Sequence, residues 1–381
     1  MPSARNGTRA LHWESAGQGP AVLLVMGLGM TLGAWWRTVP VLARSFRVLT
    51  FDNRGIGRSD GSPLPYTIAA MAGDAVAVLD AAGEERAHVY GISLGGMVAQ
   101  EVALRHADRV RALVVGATTP GGLGAPSRPE SLAFMAGAVA MPHEEALRSS
   151  VPLVYAEPTR RRHRRRIAED LARRTHDRPG IVAYSQQLAA AAGHATLDRL
   201  DRIAAPTLVI HGEQDGIVPP ENARLIADAI PGAELELRRA AGHLYPTDDP
   251  RMDRRVRRFL LRHTPGRGGP RAAPRAWARG STRCGAGRTR RSGTRPARPE
   301  AVARSCPHAD APDGAGQPDA PDAPHAAPAV DAPDAADAAC AADVGEAAED
   351  AGRADDADAE RDARAADDRG GAADAGAADH A

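Results

Sequence analysis

Residues 87–106 read Ala87-His-Val-Tyr-Gly-Ile-Ser-Leu-Gly-Gly-Met-Val-Ala-Gln-Glu-Val-Ala-Leu-Arg-His106, and this stretch decides the fold. The apolar run Ala87–Tyr90 predicts a strand buried on both faces, and Met97–His106 predicts a helix. Ser93 stands between them, with a glycine two positions away on each side. Such a tight turn projects the serine hydroxyl away from the sheet and leaves no room for larger side chains at those two positions. The turn indicates an exposed nucleophile, although a plain glycine-rich turn has the same pattern.

Strands and helices alternate through residues 1–264. Short apolar runs predict further strands at Ala21–Val25, Phe46–Phe51, Val110–Val115, Thr207–Ile210 and Glu234–Leu237. Helical spacing of apolar residues predicts helices at Ile68–Ala82, at Asn222–Ile230 and around Val256, Phe259 and Leu260. Alternation of this kind is typical of an α/β fold, in which a mostly parallel sheet is flanked by helices.

One stretch interrupts this alternation. From Pro120 to Ala204 the pattern predicts helices but no strand. Because the stretch falls between two predicted strands, we expect a helical insertion, or cap, over one end of the sheet. The predicted organisation is a core of residues 1–119 and 205–264 with a cap at 120–204.

The segment 265–381 has a different composition. It contains Trp277 as its one aromatic residue and no Leu, Ile, Met, Phe or Tyr. Such a segment cannot bury enough apolar surface to offset the entropy of ordering its backbone, so we predict a disordered tail. Residues 265–306 are rich in arginine and residues 307–381 in aspartate and alanine, so the halves could associate with each other. The chain contains no lysine, and this segment consists mainly of Ala, Arg, Asp, Gly and Pro, which GC-rich codons encode. A frame-shifted extension of a shorter gene is therefore an open alternative.

The positions of the cysteines and the lack of certain motifs exclude several kinds of binding site. All three cysteines lie in the tail, at Cys284, Cys306 and Cys340. This position excludes a disulfide scaffold or a thiolate-bound metal in the core. The sequence has no dinucleotide fingerprint or phosphate loop, and we expect neither a cofactor nor a metal. The arginine-rich half has almost no aromatic residues for base stacking, so no nucleic-acid partner is expected.

The apolar segments of the chain are short. Met1–Trp13 lacks the apolar stretch of a secretion signal, and Ala21–Met30 is too short to span a bilayer. We therefore expect a cytoplasmic protein without a membrane partner. The oligomeric state stays open.

Several motifs resemble those of the α/β-hydrolase family, over about residues 10–264. The matching segments, in chain order, are the oxyanion loop after the family's third strand (Val25-Met-Gly-Leu-Gly29), the turn after its fourth strand (Phe51-Asp-Asn-Arg-Gly-Ile-Gly-Arg-Ser59), the nucleophile elbow (Gly91–Gly95), the acid loop (His211-Gly-Glu-Gln-Asp215 with Val218-Pro219) and the histidine loop (Gly242-His243). The chain is most similar to the esterase and lactonase branch, which includes 3-oxoadipate enol-lactonases and polyketide methylesterases. The resemblance implies an α/β-hydrolase fold with a helical cap and a serine enzyme that cleaves ester bonds.

The candidate serine needs a neutral imidazole to take its proton. Among the histidines of the core, only His243 falls in a loop between the last predicted strand and the final helix. Gly242 leaves room for it beside the elbow. His211 ends a strand inside the sheet, and we interpret it as structural.

The imidazole in turn needs an acid that orients it and stabilises its charged form. Asp215 follows a predicted strand, and the order Ser93, Asp215, His243 matches the chain order of this family. The competing acids are Glu213, which could point elsewhere, and Asp248 and Asp249, which look like an N-cap of the last helix.

The oxyanion of the reaction needs two backbone N–H donors, which the resemblance assigns to Leu28 and Leu94. The chain departs from the family here, because Met26-Gly27 replaces the usual His-Gly before the oxyanion loop. Asp52, Arg54 and Ser59 lie near the predicted site, and we interpret them as residues that hold their loop in place.

An apolar pocket is the last expectation for the site. The candidate pocket residues are Trp35, Trp36, Phe134, Met135, Met141 and Tyr245, with Leu244 beside them. The run Arg160–Arg166 is interpreted as a solvated helix face. The predicted activity is hydrolysis of a small apolar or aromatic carboxylic ester or lactone. A C–C bond hydrolase and a cofactor-free perhydrolase would use the same triad, and a non-catalytic binding protein is a further alternative.

Overall fold

The order of eight strands defines the sheet. A computed structural model of the chain describes residues 2–63, 65–175 and 177–264. Its strands are β1 (Ser3–Asn6), β2 (Arg9–Ala16), β3 (Ala21–Val25), β4 (Arg47–Phe51), β5 (Ala87–Ile92), β6 (Val110–Gly116), β7 (Thr207–Gly212) and β8 (Glu234–Arg238). They form one sheet in the order β1-β2-β4-β3-β5-β6-β7-β8. Only the β1–β2 and β2–β4 pairs are antiparallel, which confirms the predicted mostly parallel sheet.

The two N-terminal strands are absent from the sequence-based prediction. β1 and β2 pair as an antiparallel hairpin, and Gly7 in its turn has a positive φ of 61°. The dipeptide Asn6-Gly7 is a recognised hairpin signal and could have revealed this pair. The six predicted strands are all present, with ends that differ by no more than two residues.

The helices alternate with the strands. Their bounds are α1 (Thr38–Leu42), α2 (Ile68–Ala81), α3 (Leu94–Arg105), α4 (Pro129–Gly137), α5 (His143–Val154), α6 (Glu157–Arg162), α7 (Arg164–Arg174), α8 (Ile181–Ala192), α9 (Glu221–Ala229), α10 (Tyr245–Asp248) and α11 (Arg251–Arg262). In the described part of the chain, no helix is long and apolar enough to cross a membrane.

The sheet is buried on both faces. All five residues of β3 are buried, and they alternate between two hydrophobic clusters. Leu23 and Val25 pack with α2, α3 and α9 on one face, whereas Val22 and Leu24 pack with α11 on the other. This arrangement explains why β3 is a continuous apolar run rather than an alternating one.

Five helices, α4–α8, lie between β6 and β7, and we call them the insertion helices. A third hydrophobic cluster joins them to the core, because Val154 and Ile167 pack with Ile217, Val218 and Leu244 from the loops after β7 and β8. The insertion helices therefore lie over the end of the sheet at which the parallel strands finish. The predicted boundaries at 120 and 204 stay a prediction.

The predicted tail, residues 265–381, lies outside the described residues together with its arginine-rich half (265–306) and its aspartate-rich half (307–381). The prediction of disorder and the frame-shift alternative concern that segment alone.

Candidate active site

The carboxyl ends of the parallel strands bring the predicted site residues to one edge of the sheet. Gly27 and Leu28 follow β3, Ser93 follows β5, Asp215 follows β7 and His243 follows β8. The chain leaves β3 toward one side of the sheet and β5 toward the other, so a crevice opens between these two strands. Ser93 and His243 both line the cavity at this edge.

Ser93 occupies a strained backbone position. Its φ is 59° and its ψ is −123°, which is rare for a residue with a side chain. A Cβ on Gly91 would clash with the carbonyl oxygen of Gly95, and a Cβ on Gly95 would clash with that of Val25. Both glycines of the elbow are therefore required by close backbone approach, as the sequence predicts.

The turn is anchored to the next strand. The Ser93 N–H donates to the carbonyl of Gly116 at 2.9 Å, and the Thr118 hydroxyl donates to the Ser93 carbonyl at 2.7 Å. These bonds to the β6 end fix the backbone while the side chain of Ser93 stays partly exposed to the cavity.

Asp215 and His243 are in direct contact. His243 Nδ1 lies 2.8 Å from Asp215 Oδ2, and both side chains are more than 90% buried. The other carboxylate oxygen, Oδ1, accepts the N–H groups of Ile217 at 2.8 Å and Val218 at 2.9 Å. Because the carboxylate only accepts, His243 donates from Nδ1, which leaves Nε2 as the nitrogen that can take a proton.

A second histidine contacts the same carboxylate oxygen. His211 Nε2 lies 2.9 Å from Asp215 Oδ2 and 3.1 Å from the Val218 carbonyl. Both neighbours are acceptors, so Nε2 carries the proton. His211 Nδ1 is buried without a hydrogen-bond partner in the described residues. The sequence-based interpretation of His211 as structural misses this contact, although its i, i+4 spacing from Asp215 was visible.

These contacts set the charge of Asp215. Burial alone raises the pKa of the carboxyl group, but the His243 charge and the hydrogen bonds from His211 and His243 outweigh it, and the pKa falls to about 2. Asp215 is thus a buried carboxylate that is stabilised as an anion by its two histidine neighbours.

Ser93 and His243 are not joined by a hydrogen bond in the described residues, although both line the same cavity. Hydrogen bonds between catalytic groups are often long before a substrate closes the site.

The loop after β3 lies directly against the elbow. A Cβ on Gly27 would be 3.2 Å from Ser93 Cβ and 3.6 Å from Ser93 Oγ. Leu28 and Leu94 both line the cavity, and the backbone N–H of neither residue donates to another group in the described ranges. Leu94 is also the first residue of α3, whose N-terminus attracts negative charge.

The residues after β4 hold this loop in position, as the sequence analysis expects. Asp52 accepts the N–H groups of Leu32 at 2.8 Å and Arg58 at 3.0 Å, and the Ser59 hydroxyl donates to the Asp52 carbonyl at 2.6 Å. Arg54 forms a buried ion pair with Asp74 at 2.6 Å. Each polar group has a partner in the loop or the adjoining helix, so a structural role accounts for all three.

An unexpected contact reaches the loop from the insertion helices. Gln187 of α8 is fully buried, and its Oε1 accepts the Gly29 N–H at 3.1 Å. Its Nε2 donates to the Arg54 carbonyl at 3.1 Å. Gln187 thus couples α8 to the loops after β3 and β4, and nothing in the local sequence pattern marks this role.

The cavity has a volume of about 320 Å³ and is lined mainly by apolar side chains. The predicted residues Phe134, Met135 and Met141 line it, together with the neighbouring Leu244. Other lining residues were missed by the sequence analysis, because they come from one loop and several helices that are distant in the chain: Met30, Met97, Leu132, Leu147, Tyr184 and Leu188.

Trp35 and Tyr245 do not line this cavity, which corrects their assignment to the substrate pocket. Both are buried in the core, where the Trp35 ring packs on Tyr90 at 5.0 Å and the Tyr245 hydroxyl bonds that of Tyr90 at 2.7 Å. The short helix α10 begins at Tyr245, and the bare Gly116 backbone makes room for its ring.

Trp36 also lies outside the main cavity. Its Nε1 donates to Asp170 at 3.1 Å, and its ring contacts the guanidinium groups of Arg37 at 4.0 Å and Arg173 at 4.2 Å. These contacts direct the ring toward α7, where it lines a side pocket of about 30 Å³.

The competing acids have other partners. Asp248 Oδ2 accepts the N–H groups of Gly242 and Ala156, which ties the histidine loop to the insertion. Asp249 Oδ1 accepts the Arg251 N–H at 3.1 Å beside the start of α11, but the N-cap residue itself is Pro250, which differs from the prediction. Within the described residues, no group of three or more His, Cys, Asp or Glu side chains is arranged to hold a metal ion.

Residues 20–250 match the model of the family described by the α/β-hydrolase fold, which is more than half of the chain. The chain belongs to the α/β-hydrolase family. The match spans β3 to the start of the last helix and includes all the candidate site residues.

Known members of the α/β-hydrolase family are similar to this chain. A protein of Azorhizobium caulinodans assigned the name carbamate hydrolase RutD is 31% identical over 244 residues, which are 62% of this chain and 88% of that protein. The enol-lactonase from Burkholderia xenovorans LB400 superposes with a TM-score of 0.61 and 26% identity, over 68% of this chain and 100% of its own. A thermophilic esterase from Thermogutta terrifontis gives a TM-score of 0.59 and 28% identity, over 68% and 97%.

Proposed function

We propose that this α/β hydrolase is a serine enzyme that cleaves a carboxylic ester or lactone through Ser93, His243 and Asp215. The observation that carries the proposal is the 2.8 Å contact between His243 Nδ1 and Asp215 Oδ2, because His243 lines the same cavity as Ser93. The contact fixes the tautomer in which His243 Nε2 is free to act as a base.

The proposed reaction has two halves. His243 Nε2 takes the proton from Ser93 as Oγ attacks the carbonyl carbon, and the N–H groups of Leu28 and Leu94 stabilise the oxyanion. His243 then gives the proton to the departing alkoxide, which leaves an acyl-enzyme. Water deprotonated by His243 attacks the acyl carbonyl, and the acid product departs as the proton returns to Ser93.

The lining of the cavity supports a small acyl group with an apolar part. Methionine and aliphatic side chains from α4, α5 and α8 surround the space in front of Ser93. The similar proteins are named as an esterase, an enol-lactonase and a carbamate hydrolase, and these names all describe hydrolysis at a carbonyl carbon. Esters and lactones are therefore the first substrates to test, with carbamates after them.

The test compares the full chain with Ser93→Ala on p-nitrophenyl acetate and p-nitrophenyl butyrate, and it follows labelling by a fluorophosphonate probe. The proposal expects turnover and labelling in the wild type and neither above background in Ser93→Ala. Ser15→Ala is the matched control, because Ser15 lies on β2 and does not line the cavity. A folded wild type with neither turnover nor labelling would refute the proposal.

A further inference from the structure

Two arginines line the apolar cavity, Arg174 and Arg178, and the partly buried one, Arg174, has no role in the proposed chemistry. Arg174, the last residue of α7, lines both the main cavity and the side pocket next to it. Met26, Ile92 and Leu244 line the same two spaces, and these residues are the chain neighbours of Gly27, Ser93 and His243. Arg174 therefore borders the same space as Ser93 and His243.

The nearby acids do not pair with Arg174. Asp170 lies one helical turn earlier, but its carboxylate receives Arg37 at 3.2 Å, the Trp36 indole and the Tyr155 hydroxyl. Asp177 lines the cavity as well, and its Oδ2 receives the Thr31 hydroxyl at 2.5 Å.

Within the described ranges, no carboxylate lies within ion-pair distance (4.0 Å) of the Arg174 guanidinium. In contrast, Arg37 on the far side of Asp170 pairs with two carboxylates.

The guanidinium is also incompletely hydrogen-bonded. Arg174 Nη1 is buried and has no hydrogen-bond partner among the described residues. An unpaired buried cation is costly, and partly buried arginines normally bind a carboxylate or a phosphate. The cost is offset when the anion is supplied by a ligand in the cavity.

We propose that Arg174 binds a carboxylate of the substrate, so that the ester or lactone is a monoanion with its charge a few atoms from the scissile carbonyl. The inference rests on the proposed hydrolase function. A single guanidinium offers the paired N–H donors that match a carboxylate. Arg178, the other arginine of the lining, is exposed to solvent, and most of the remaining lining is apolar.

The first experiment measures kcat/KM for two esters with the same leaving group, mono-p-nitrophenyl glutarate and p-nitrophenyl butyrate. In Arg174→Gln, kcat/KM for the glutarate ester is expected to fall about 10- to 100-fold, the range for one charged hydrogen-bonded contact. The butyrate ester should change by less than about threefold. Arg174→Lys keeps the charge but loses the paired geometry, and it should give an intermediate value.

Arg173→Gln is the matched control. It removes the same charge from the preceding residue of α7, but Arg173 contacts the outer face of Trp36 and does not line the cavity. The ratio of the two kcat/KM values should stay at the wild-type level in this variant. An equal loss for both esters in Arg174→Gln would overturn the inference, and so would a changed ratio in Arg173→Gln.

A binding experiment separates this inference from the proposed function. Monomethyl glutarate and dimethyl glutarate are titrated into Ser93→Ala, where no turnover is expected, and into Ser93→Ala with Arg174→Gln. The carboxylate inference expects tighter binding of the monoanion, which is lost with Arg174. Absence of ester turnover in the wild type would refute the proposed function alone, whereas equal affinity for the monomethyl and dimethyl esters would refute the carboxylate site alone.

Discussion

His211 donates from Nε2 to Asp215 Oδ2 at 2.9 Å, on the same oxygen that contacts His243 at 2.8 Å. Two imidazole N–H donors share the negative charge of one carboxylate oxygen. Each hydrogen bond therefore weakens the interaction of the carboxylate with the other imidazole ring. His211 also fixes the plane of the carboxylate, which orients the His243 ring. In the proposed mechanism His211 is a positioning residue, because it acts through Asp215.

Replacing His211 tests this relationship through the pH profile. In His211→Leu, the Asp215 carboxylate loses one donor and attracts the proton on His243 more strongly, so the acidic limb of kcat/KM should move to higher pH. His211→Gln retains an N–H donor and should restore most of the wild-type profile. His88→Gln is the control, because His88 is equally buried but bonds Thr264 away from the site. An unchanged profile in a folded His211→Leu enzyme would contradict the positioning role.

Gln187→Leu should slow the chemical step without unfolding the protein. The substitution removes both the acceptor for Gly29 N–H and the donor to the Arg54 carbonyl. A displaced oxyanion loop should lower kcat by about 10- to 100-fold with a smaller effect on KM, because donor position matters most in the transition state. Gln186→Leu, whose side chain reaches Ser62 instead, should retain kcat. Steady-state kinetics on p-nitrophenyl butyrate measures both variants.

Gly95→Ala should destabilise the fold itself. The added methyl group would meet the carbonyl of Val25 in β3, which is backbone and cannot swing away. We expect a loss of roughly 3 kcal/mol in the free energy of unfolding, the upper range for overpacking. Gly180→Ala is the comparison, because a Cβ there meets nothing within 4 Å, and it should change stability by less than about 0.5 kcal/mol. Urea denaturation followed by circular dichroism distinguishes the two.

The pH dependence of stability has a specific contribution from Asp253. Burial raises its pKa to about 7, although the Thr38 hydroxyl donates to it at 3.0 Å. Between about pH 4 and 7 the folded chain keeps a proton that the unfolded chain releases, so this residue lowers the free energy of unfolding as pH rises through that window. The destabilisation by the buried Asp253 charge is complete above about pH 7 and absent below about pH 4.

Asp253→Asn should remove this contribution. Relative to the wild type, the free energy of unfolding of the variant should increase by about 2.5 kcal/mol between pH 5 and pH 8. Denaturant titrations at the two pH values give the difference, and the exposed Asp201→Asn provides the baseline. A constant difference between Asp253→Asn and the wild type would show that the carboxyl group titrates normally.

The sequence predicts the parallel part of the fold because strands that are buried on both faces form continuous apolar runs. β3 and β5–β7 were predicted in this way, and the elbow glycines identify the turn at Ser93. β2 escaped prediction because its residues mix charged and apolar types, as an antiparallel strand near a sheet edge allows.

The sequence could not predict the direction in which the side chains near the site point. Trp35, Trp36 and Tyr245 are close in the chain to the oxyanion and histidine loops, yet their rings turn into the core or toward α7. Their directions depend on Tyr90, Gly116 and Asp170, which are distant in the chain. Gln187 and Arg174 were missed for the same reason, since each acts on a loop or cavity built by other elements.

The bridge from Gln187 to Gly29 has an evolutionary consequence. The same helix that supplies Tyr184 and Leu188 to the cavity wall also holds one end of the loop at which the oxyanion would form. Substitutions that reshape α8 to fit a new acyl group therefore also disturb the loop that would stabilise the oxyanion. Lineages that change substrate are expected to retain an amide or another acceptor at position 187, or to acquire a compensating substitution in the loop after β3.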